Sequence, residues 1–205
     1  WRFVQQKAWP VKKRAEVLGM ISRGRPTVAI AGTHGKTSSS SITAHLLVEG
    51  GIGCTAFLGG IAGNFGSNYF HSGDDWVVVE ADEFDRSFLH LRPQLAVILS
   101  MDADHLDIYG DAETLRRTGF EAFAKCVRPG GALYLREGLE VEVPAGVELI
   151  SFGLEKGECR SENIRVEDGR FVFDYCGPGG AIRDLQWDLP GRHNVENATA
   201  AISLA

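Results

Sequence analysis

No apolar run in this chain approaches the roughly 18–20 residues that a membrane-spanning helix needs, so the sequence offers no transmembrane segment. The N-terminal residues lack the charged, apolar and small-residue succession of a signal peptide. Cysteine is scarce and scattered. Cys54, Cys126, Cys159 and Cys176 show no paired spacing, which argues against both a zinc site and a secreted disulfide scaffold and leaves a reducing, cytoplasmic setting as the expectation. A long basic run is missing too, and the net charge is −6, so nucleic acid is not an expected partner. The basic cluster Lys12-Lys13-Arg14 reads as a solvated helix face. There is no internal repeat, no low-complexity tract and no guanine-reading Asn-Lys-x-Asp sequence.

What remains is an ordinary globular composition, 44% hydrophobic and 23% charged over 205 residues, enough for one α/β core with a small subregion. Short apolar runs alternate with helical patterns: strands at Thr27–Ala31, Cys54–Leu58, Trp76–Val79, Leu95–Leu99 and Ala132–Leu135, and helices at Val11–Ile21, Ser38–Glu49 and Asp111–Val127. Continuous rather than alternating apolar strands predict burial on both faces, and the rhythm predicts a doubly wound, mostly parallel sheet. Gly59–Gly73 is glycine-rich and reads as a loop, either a surface connection or a place where backbone approaches a ligand. After Glu140, short alternating strands separated by Asp168-Gly169 and Gly177-Pro178-Gly179-Gly180 predict a small antiparallel meander packed beside the main sheet, over about residues 141–189. A last helix begins near Asn194. The chain starts at Trp1 and stops within that helix pattern, so residues 1–26 read as a lead-in from a preceding domain and 27–205 as a nucleotide-binding domain of something longer.

Between the first strand and its helix stands Gly32-Thr33-His34-Gly35-Lys36-Thr37. Strand, glycine turn and helix N-terminus gather backbone N–H groups around one point, which suits a polyphosphate, with Lys36 reaching the β/γ-phosphates and the Thr37 hydroxyl on Mg²⁺. The glycine gap is shorter than in the common phosphate-binding loop, since only Thr33 and His34 separate Gly32 from Gly35. An ordinary glycine turn is the plain alternative. In open α/β sheets ligands bind beyond the carboxyl ends of the strands, where Glu80 and the Asp104-His105 pair also fall. Glu80 and Thr37 offer the oxygen ligands that Mg²⁺ prefers; His105 on its own is as readily a hydrogen-bonded histidine. Asp82, Glu83, Asp85, Asp102, Asp104 and Asp107 read mostly as a solvated acidic rim. Asn194 and Asn197 share a helix face and offer the donor and acceptor that an adenine edge requires, unless Asn194 is an N-cap.

The set Gly32–Thr37, Glu80-Ala81-Asp82-Glu83, Ser87-Phe88-Leu89-His90-Leu91, Asp104-His105 and Pro190-Gly191-Arg192-His193-Asn194 resembles the Mur ligase family, the ATP-dependent amino-acid ligases of peptidoglycan synthesis. The resemblance covers essentially the whole chain, in the family's order. It implies that Gly32, Thr33, His34, Gly35, Lys36 and Thr37 cradle the phosphates of ATP, and that Glu80 and His105 each hold a Mg²⁺. It further implies that His193, Asn194 and Asn197 contact adenine, while Ser87 and His90 lie near a nucleotide-sugar substrate. Lys36, Glu80 and His105 are then the catalytic set. The implied reaction is phosphorylation of the carboxylate of UDP-N-acetylmuramate by ATP, followed by attack of the L-alanine amine on the acyl phosphate. Later-acting family members carry a carbamylated lysine at the position of Phe120, so Phe120 points to the alanine-adding branch. Phe84 leans toward the recycling branch, which attaches a whole tripeptide. The resemblance also implies separate N- and C-terminal domains as partners, for the uridine nucleotide and for ATP and amino acid. The chain alone is then expected to bind Mg-ATP weakly and not to complete ligation. A P-loop kinase, or a nucleotide-binding module without chemistry, is the contrasting expectation.

Overall fold

The computed structural model describes residues 2–102 and 109–205. Its strands are β1 (Thr27–Ala31), β2 (Cys54–Ala62), β3 (Ser67–His71), β4 (Trp76–Ala81), β5 (Leu95–Ile98), β6 (Ala132–Arg136), β7 (Glu148–Leu154), β8 (Cys159–Glu167), β9 (Arg170–Gly177) and β10 (Gly180–Trp187). The helices are α1 (Arg2–Gln6), α2 (Arg14–Gly24), α3 (Lys36–Glu49), α4 and α5 (Arg192–Leu204), with a 3₁₀ segment at Phe84–His90. Helix α4 runs from Ala112–Thr114 through a π-helical stretch, Leu115–Phe120, into Glu121–Ala124.

The ten strands of the described residues join one sheet in the order β10-β9-β8-β7-β6-β5-β1-β4-β2-β3. Pairing is parallel from β2 through β4, β1, β5, β6 and β7 to β8, and antiparallel for β3 and for the β8–β9–β10 meander. The meander continues the sheet through the parallel β7–β8 pairing, in register from Phe152↔Cys159 to Leu154↔Ser161. The five residues of β1 are fully enclosed, and the four apolar ones divide between two cores. Val28 and Ile30 pack with Ala44 and Leu47 of α3 and with Ala200 and Leu204 of α5. Ala29 and Ala31 face the opposite layer, with Leu18 of α2, Phe88, Phe120 and Phe123. Helices on both faces of a parallel sheet are the doubly wound arrangement that the apolar strands predict.

Three elements depart from the sequence reading; the first is β7, expected within the antiparallel meander, which pairs parallel with both β6 and β8. The stretch Gly59–Gly73 is mostly strand: β2 runs on to Ala62 and pairs antiparallel with β3, with Phe57 opposite Tyr69 and Ala56 opposite Phe70. Cross-strand aromatic contacts hold this hairpin, Phe57 on Tyr69 at 5.4 Å and Phe65 stacked on Phe70 at 4.2 Å, and these outweigh the low strand propensity of its glycines. Helix α2 begins at Arg14, three positions later than the sequence pattern suggests, and ends at Gly24 before Pro26 fixes an extended turn into β1. Asp104, His105 and Asp107 lie outside the described residues.

The strand order places β1 between β4 and β5. The chain leaves β1 toward β2 on one side and leaves β5 toward β6 on the other, so a crevice opens at the carboxyl end of β1.

Candidate functional site

The short glycine loop after β1 is stapled to the end of β5. Ser100 Oγ lies 2.9 Å from Thr33 Oγ1 and accepts the His34 N–H at 2.9 Å, while the Ser100 carbonyl accepts the Thr33 N–H at 3.3 Å. The Asp102 N–H donates to Thr33 Oγ1 at 3.2 Å. Both glycines are required. Gly32 has φ 138° and a β-carbon there would stand 2.9 Å from Ser100 N. Gly35, the N-cap of α3, has φ 83°, and its missing β-carbon is replaced by the side-chain oxygen of Asn197, 2.4 Å from that point. The loop ends on the N-terminus of a 14-residue helix, so the first-turn N–H groups and the helix dipole point into the crevice beside Thr33–Ser38.

Lys36 is the first residue of α3, and its ammonium is already engaged. Nζ donates to the Gly32 carbonyl at 2.7 Å and to Glu83 Oε2 and Oε1 at 2.8 and 3.1 Å. The Glu83 side chain is 1% exposed, so the acidic-rim reading fails at this residue: burial here is tolerated because the carboxylate is ion-paired. Asp82 and Asp102 remain exposed, as a rim requires. The backbone near Glu83 is pinned by Tyr109, whose hydroxyl donates to the Glu83 carbonyl at 2.7 Å. Burial raises the Tyr109 phenol above its ordinary range, and the Arg86 guanidinium stacked 5.5 Å from its ring opposes that rise.

Glu80, the penultimate residue of β4, reaches across the sheet end. Its Oε1 accepts the Gly59 N–H at 2.6 Å and the Ser40 hydroxyl at 3.3 Å. A β-carbon on Gly59 would stand 2.3 Å from Oε2, so glycine is what lets the carboxylate lie there; Thr37 Cγ2 comes within 3.4 Å of the same position on Gly60. Glu80 thus brings its carboxylate to the β2 glycines, and Thr37 stands beside Gly60 with its methyl toward it. Among the described residues no three His, Cys, Asp or Glu side chains cluster as a metal cage. The donor set fits a cation such as Mg²⁺, which takes one or two protein ligands and completes its shell with phosphate and water.

On the other side of the loop, His34, Gly35, Leu99, Ser100, Asp102, Arg136, His193, Glu196 and Asn197 line a cleft of about 340 Å³. His193 and Asn197 therefore stand with the glycine loop. Asn194 is not the N-cap of α5, a position that Gly191 fills with φ 99°. Its side-chain N–H turns back to the Pro190 carbonyl at 2.7 Å, and its oxygen lies 3.5 Å from the amide nitrogen of Asn197. Ser87 lines a small cavity of about 80 Å³ with Arg14, Glu80 and Asp82. His90 is exposed, and its carbonyl packs against Gly19 of α2, apart from these clefts. Sequence reasoning missed the pairing of Glu83, the bracing role of Ser100 and the Arg136–Glu196 ion pair at 3.6 Å. The usable signal for Ser100 was its place directly after an apolar strand; for Glu83, hidden in an acidic run, there was none.

Residues 30–205 match the profile of the Mur ligase middle domain. The UDP-N-acetylmuramate–L-alanine ligase of Christiangramia forsetii is 47% identical over 206 residues, covering 100% of this chain and 44% of that protein. Among solved structures, the UDP-N-acetylmuramate-alanine ligase of Thermotoga maritima aligns with a TM-score of 0.79 at 26% identity, over 99% of this chain and 46% of that one. The UDP-N-acetylmuramate:L-alanyl-gamma-D-glutamyl-meso-diaminopimelate ligase from Neisseria meningitides aligns with a TM-score of 0.82, also at 26% identity, over 99% of this chain and 68% of that one. The chain spans less than half the length of the curated relatives it matches, 44–45% of the first three. Since the middle-domain profile covers most of its length, the chain belongs to the Mur ligase family and corresponds to its middle domain.

Proposed function

We propose that this chain is the ATP-binding middle domain of a ligase that joins L-alanine to the carboxylate of UDP-N-acetylmuramate in peptidoglycan precursor synthesis. The observation that carries this reading is the convergence of Lys36, Thr37 and Glu80 at the ends of the neighbouring strands β1 and β4 in a chain whose relatives bear that name. The first-turn amides of α3 and the Lys36 ammonium draw the triphosphate down and neutralise charge on the transferred phosphoryl group. Thr37 and Glu80 would hold Mg²⁺, which when bound screens the phosphate oxygens; the resemblance gives His105 a second such role. The muramyl carboxylate oxygen attacks the γ-phosphorus and ADP leaves. The amine of L-alanine then attacks the acyl carbon and inorganic phosphate departs. His193, Asn194 and Asn197 orient the adenine, and Ser87, beside Glu80, meets the acceptor; His90 belongs to the acceptor side only through the resemblance. The remaining domains of a protein of the relatives' length would bring the uridine nucleotide and the amino acid, and ATP supply makes the cytoplasm the setting.

One observation favours the recycling branch, the likeness to the Neisseria tripeptide-attaching ligase, and an acceptor screen separates the two. In a protein of the relatives' length, ADP release with UDP-N-acetylmuramate should depend on L-alanine and not on the tripeptide. Dependence on the tripeptide alone assigns the recycling branch. Alanine-dependent phosphate release by the 205-residue chain alone would contradict its assignment as one domain of several.

A further inference from the structure

The two residues between the glycines turn their backbone to the end of β5. The Thr33 N–H donates to the Ser100 carbonyl at 3.3 Å, and the His34 N–H donates to Ser100 Oγ at 2.9 Å. The loop lies close on that strand end, since a β-carbon on Gly32 would stand 2.9 Å from Ser100 N and 3.0 Å from Leu99 Cβ. Ser100 and Thr33 are both buried, and their hydroxyl oxygens lie 2.9 Å apart. Each hydroxyl has one proton to give, and a buried one needs an acceptor. Thr33 Oγ1 reaches either Ser100 Oγ or, at 3.4 Å, Asp102 Oδ2, whereas among the described residues Ser100 Oγ faces only Thr33 Oγ1. Both protons find an acceptor when Ser100 donates to Thr33 and Thr33 donates to Asp102. The result is a directed chain from the His34 N–H through Ser100 and Thr33 to Asp102, whose exposed carboxylate stands 3.6 Å from His34 Nε2.

On the reading of the loop as a nucleotide site, we propose that Ser100 is a positioning residue that sets which amides meet the phosphates. It holds the Thr33 and His34 N–H groups on β5 and leaves those of Gly35, Lys36, Thr37 and Ser38 for the anion. The common phosphate-binding loop cradles its phosphates with backbone N–H groups of the longer stretch between its glycines. Here that stretch is two residues, and β5 takes both of its N–H groups. The groups beyond them can serve instead, because a helix leaves its first-turn N–H groups without intrahelical partners. The Ser39 N–H is already taken by the Gly35 carbonyl at 2.9 Å, which marks the far limit of the set. A loop braced in this way is ordered before the nucleotide arrives, so less ordering is left to binding. A merely structural role for Ser100 would loosen the site for every ligand alike.

Amide NMR of the ¹⁵N-labelled chain with Mg-ADP, joined to calorimetric titration with Mg-ADP and with AMP, tests this. In the unaltered chain Mg-ADP should move the Gly35, Lys36, Thr37 and Ser38 amides far more than those of Thr33 and His34. A shift at the His34 amide as large as that at Lys36 overturns the proposal, and this arm needs no variant. In Ser100→Ala the His34 N–H loses its acceptor, so its hydrogen exchange should speed by about tenfold while the amides of β1 keep their protection. Mg-ADP binding should weaken by about tenfold, the scale of one buried hydrogen bond. AMP, which lacks the β- and γ-phosphates, should change by less than about twofold on the same argument. Thr33→Val breaks the chain from its other side with little change of shape, should weaken Mg-ADP by a smaller factor, and serves if the Ser100 variant does not fold. Unchanged or tighter Mg-ADP binding by a folded variant, or equal weakening of AMP, overturns the role of Ser100 and leaves the nucleotide site standing. Failure of the unaltered chain and the variant alike to bind Mg-ADP overturns the nucleotide reading itself.

Discussion

The side-chain oxygen of Asn197 lies 2.4 Å from the point where a β-carbon on Gly35 would stand, so α5 packs directly into the missing side chain of the glycine loop. Ser39 of α3 reaches the Asn197 carbonyl at 3.5 Å, which ties the same two helices together. Gly35→Ala would force a left-handed φ on a residue with a β-carbon and push Asn197 aside. The expected cost is about 1–3 kcal/mol of stability. Urea unfolding measures that cost, and a parallel titration should show Mg-ATP binding weakened beyond what the stability loss explains.

Gly59 plays the corresponding part for Glu80. Gly59→Ala would place a methyl 2.3 Å from Glu80 Oε2 and 2.8 Å from its Cδ, displacing the carboxylate from the sheet end. Mg-ATP affinity should fall by about tenfold, the scale seen when the support of a metal ligand is removed. ATP without Mg²⁺ should bind the variant and the unaltered chain alike, which separates loss of the cation site from general damage.

Phe120 occupies the position that the family resemblance gives to a carbamylated lysine in other branches, and here it is core. Its ring is fully buried, meeting Phe88 edge-on at 5.9 Å while Phe88 stacks on Phe123 at 5.0 Å. Phe120→Ala should cost about 3–5 kcal/mol by leaving a cavity between α4 and the 3₁₀ segment. Denaturant unfolding with an unchanged slope would show this as a pure stability loss. Phe120→Lys should give little folded protein, because an ammonium there would be buried among aromatic rings without a partner.

Asp174 on β9 gathers the meander. Its carboxylate accepts from the Asn163 side chain at 2.8 Å, the Asp184 N–H at 2.9 Å and Arg183 at 2.8 Å, and those contacts, Asn163 first, lower its pKa to about 2. Asn163 and Asp184 both have left-handed backbones, φ 55° and 53°, at the irregular points of the two flanking pairings. A carboxylate with a depressed folded pKa stabilises above its unfolded value and loses that contribution as pH falls toward the folded one. The stability it supplies is therefore complete above about pH 5 and declines from about pH 4 to about pH 2. Asp174→Asn should flatten that part of the acid unfolding profile, followed by circular dichroism across the same range.

Much of this was legible in the sequence, and the reasons differ by element. The strand Thr27–Ala31 could be placed because an apolar run between Pro26 and a glycine turn has few other readings. Helix α5 was legible from Pro190-Gly191 ahead of a helical pattern. The β2–β3 hairpin was not, because its stability comes from Phe57, Tyr69, Phe65 and Phe70 meeting across the turn while its glycines locally signal a loop. The placing of Lys36 just after β1 and of Glu80 near the end of β4 was legible from the apolar runs before them, and the two strands do lie side by side. Glu83 was not, since a carboxylate in an acidic run shows nothing of the lysine 47 residues away that makes its burial tolerable.

The most direct test of a nucleotide site centred on Gly32–Thr37 is a titration of the ¹⁵N-labelled chain with Mg-ADP, followed by amide NMR shifts. The largest changes should fall on Gly35, Lys36, Thr37 and Ser38, with a second group at His193, Asn194 and Asn197, and Lys36→Ala should erase both. Shifts centred elsewhere, such as the open cleft between Met20 and His71, or shifts that survive Lys36→Ala, would contradict the account.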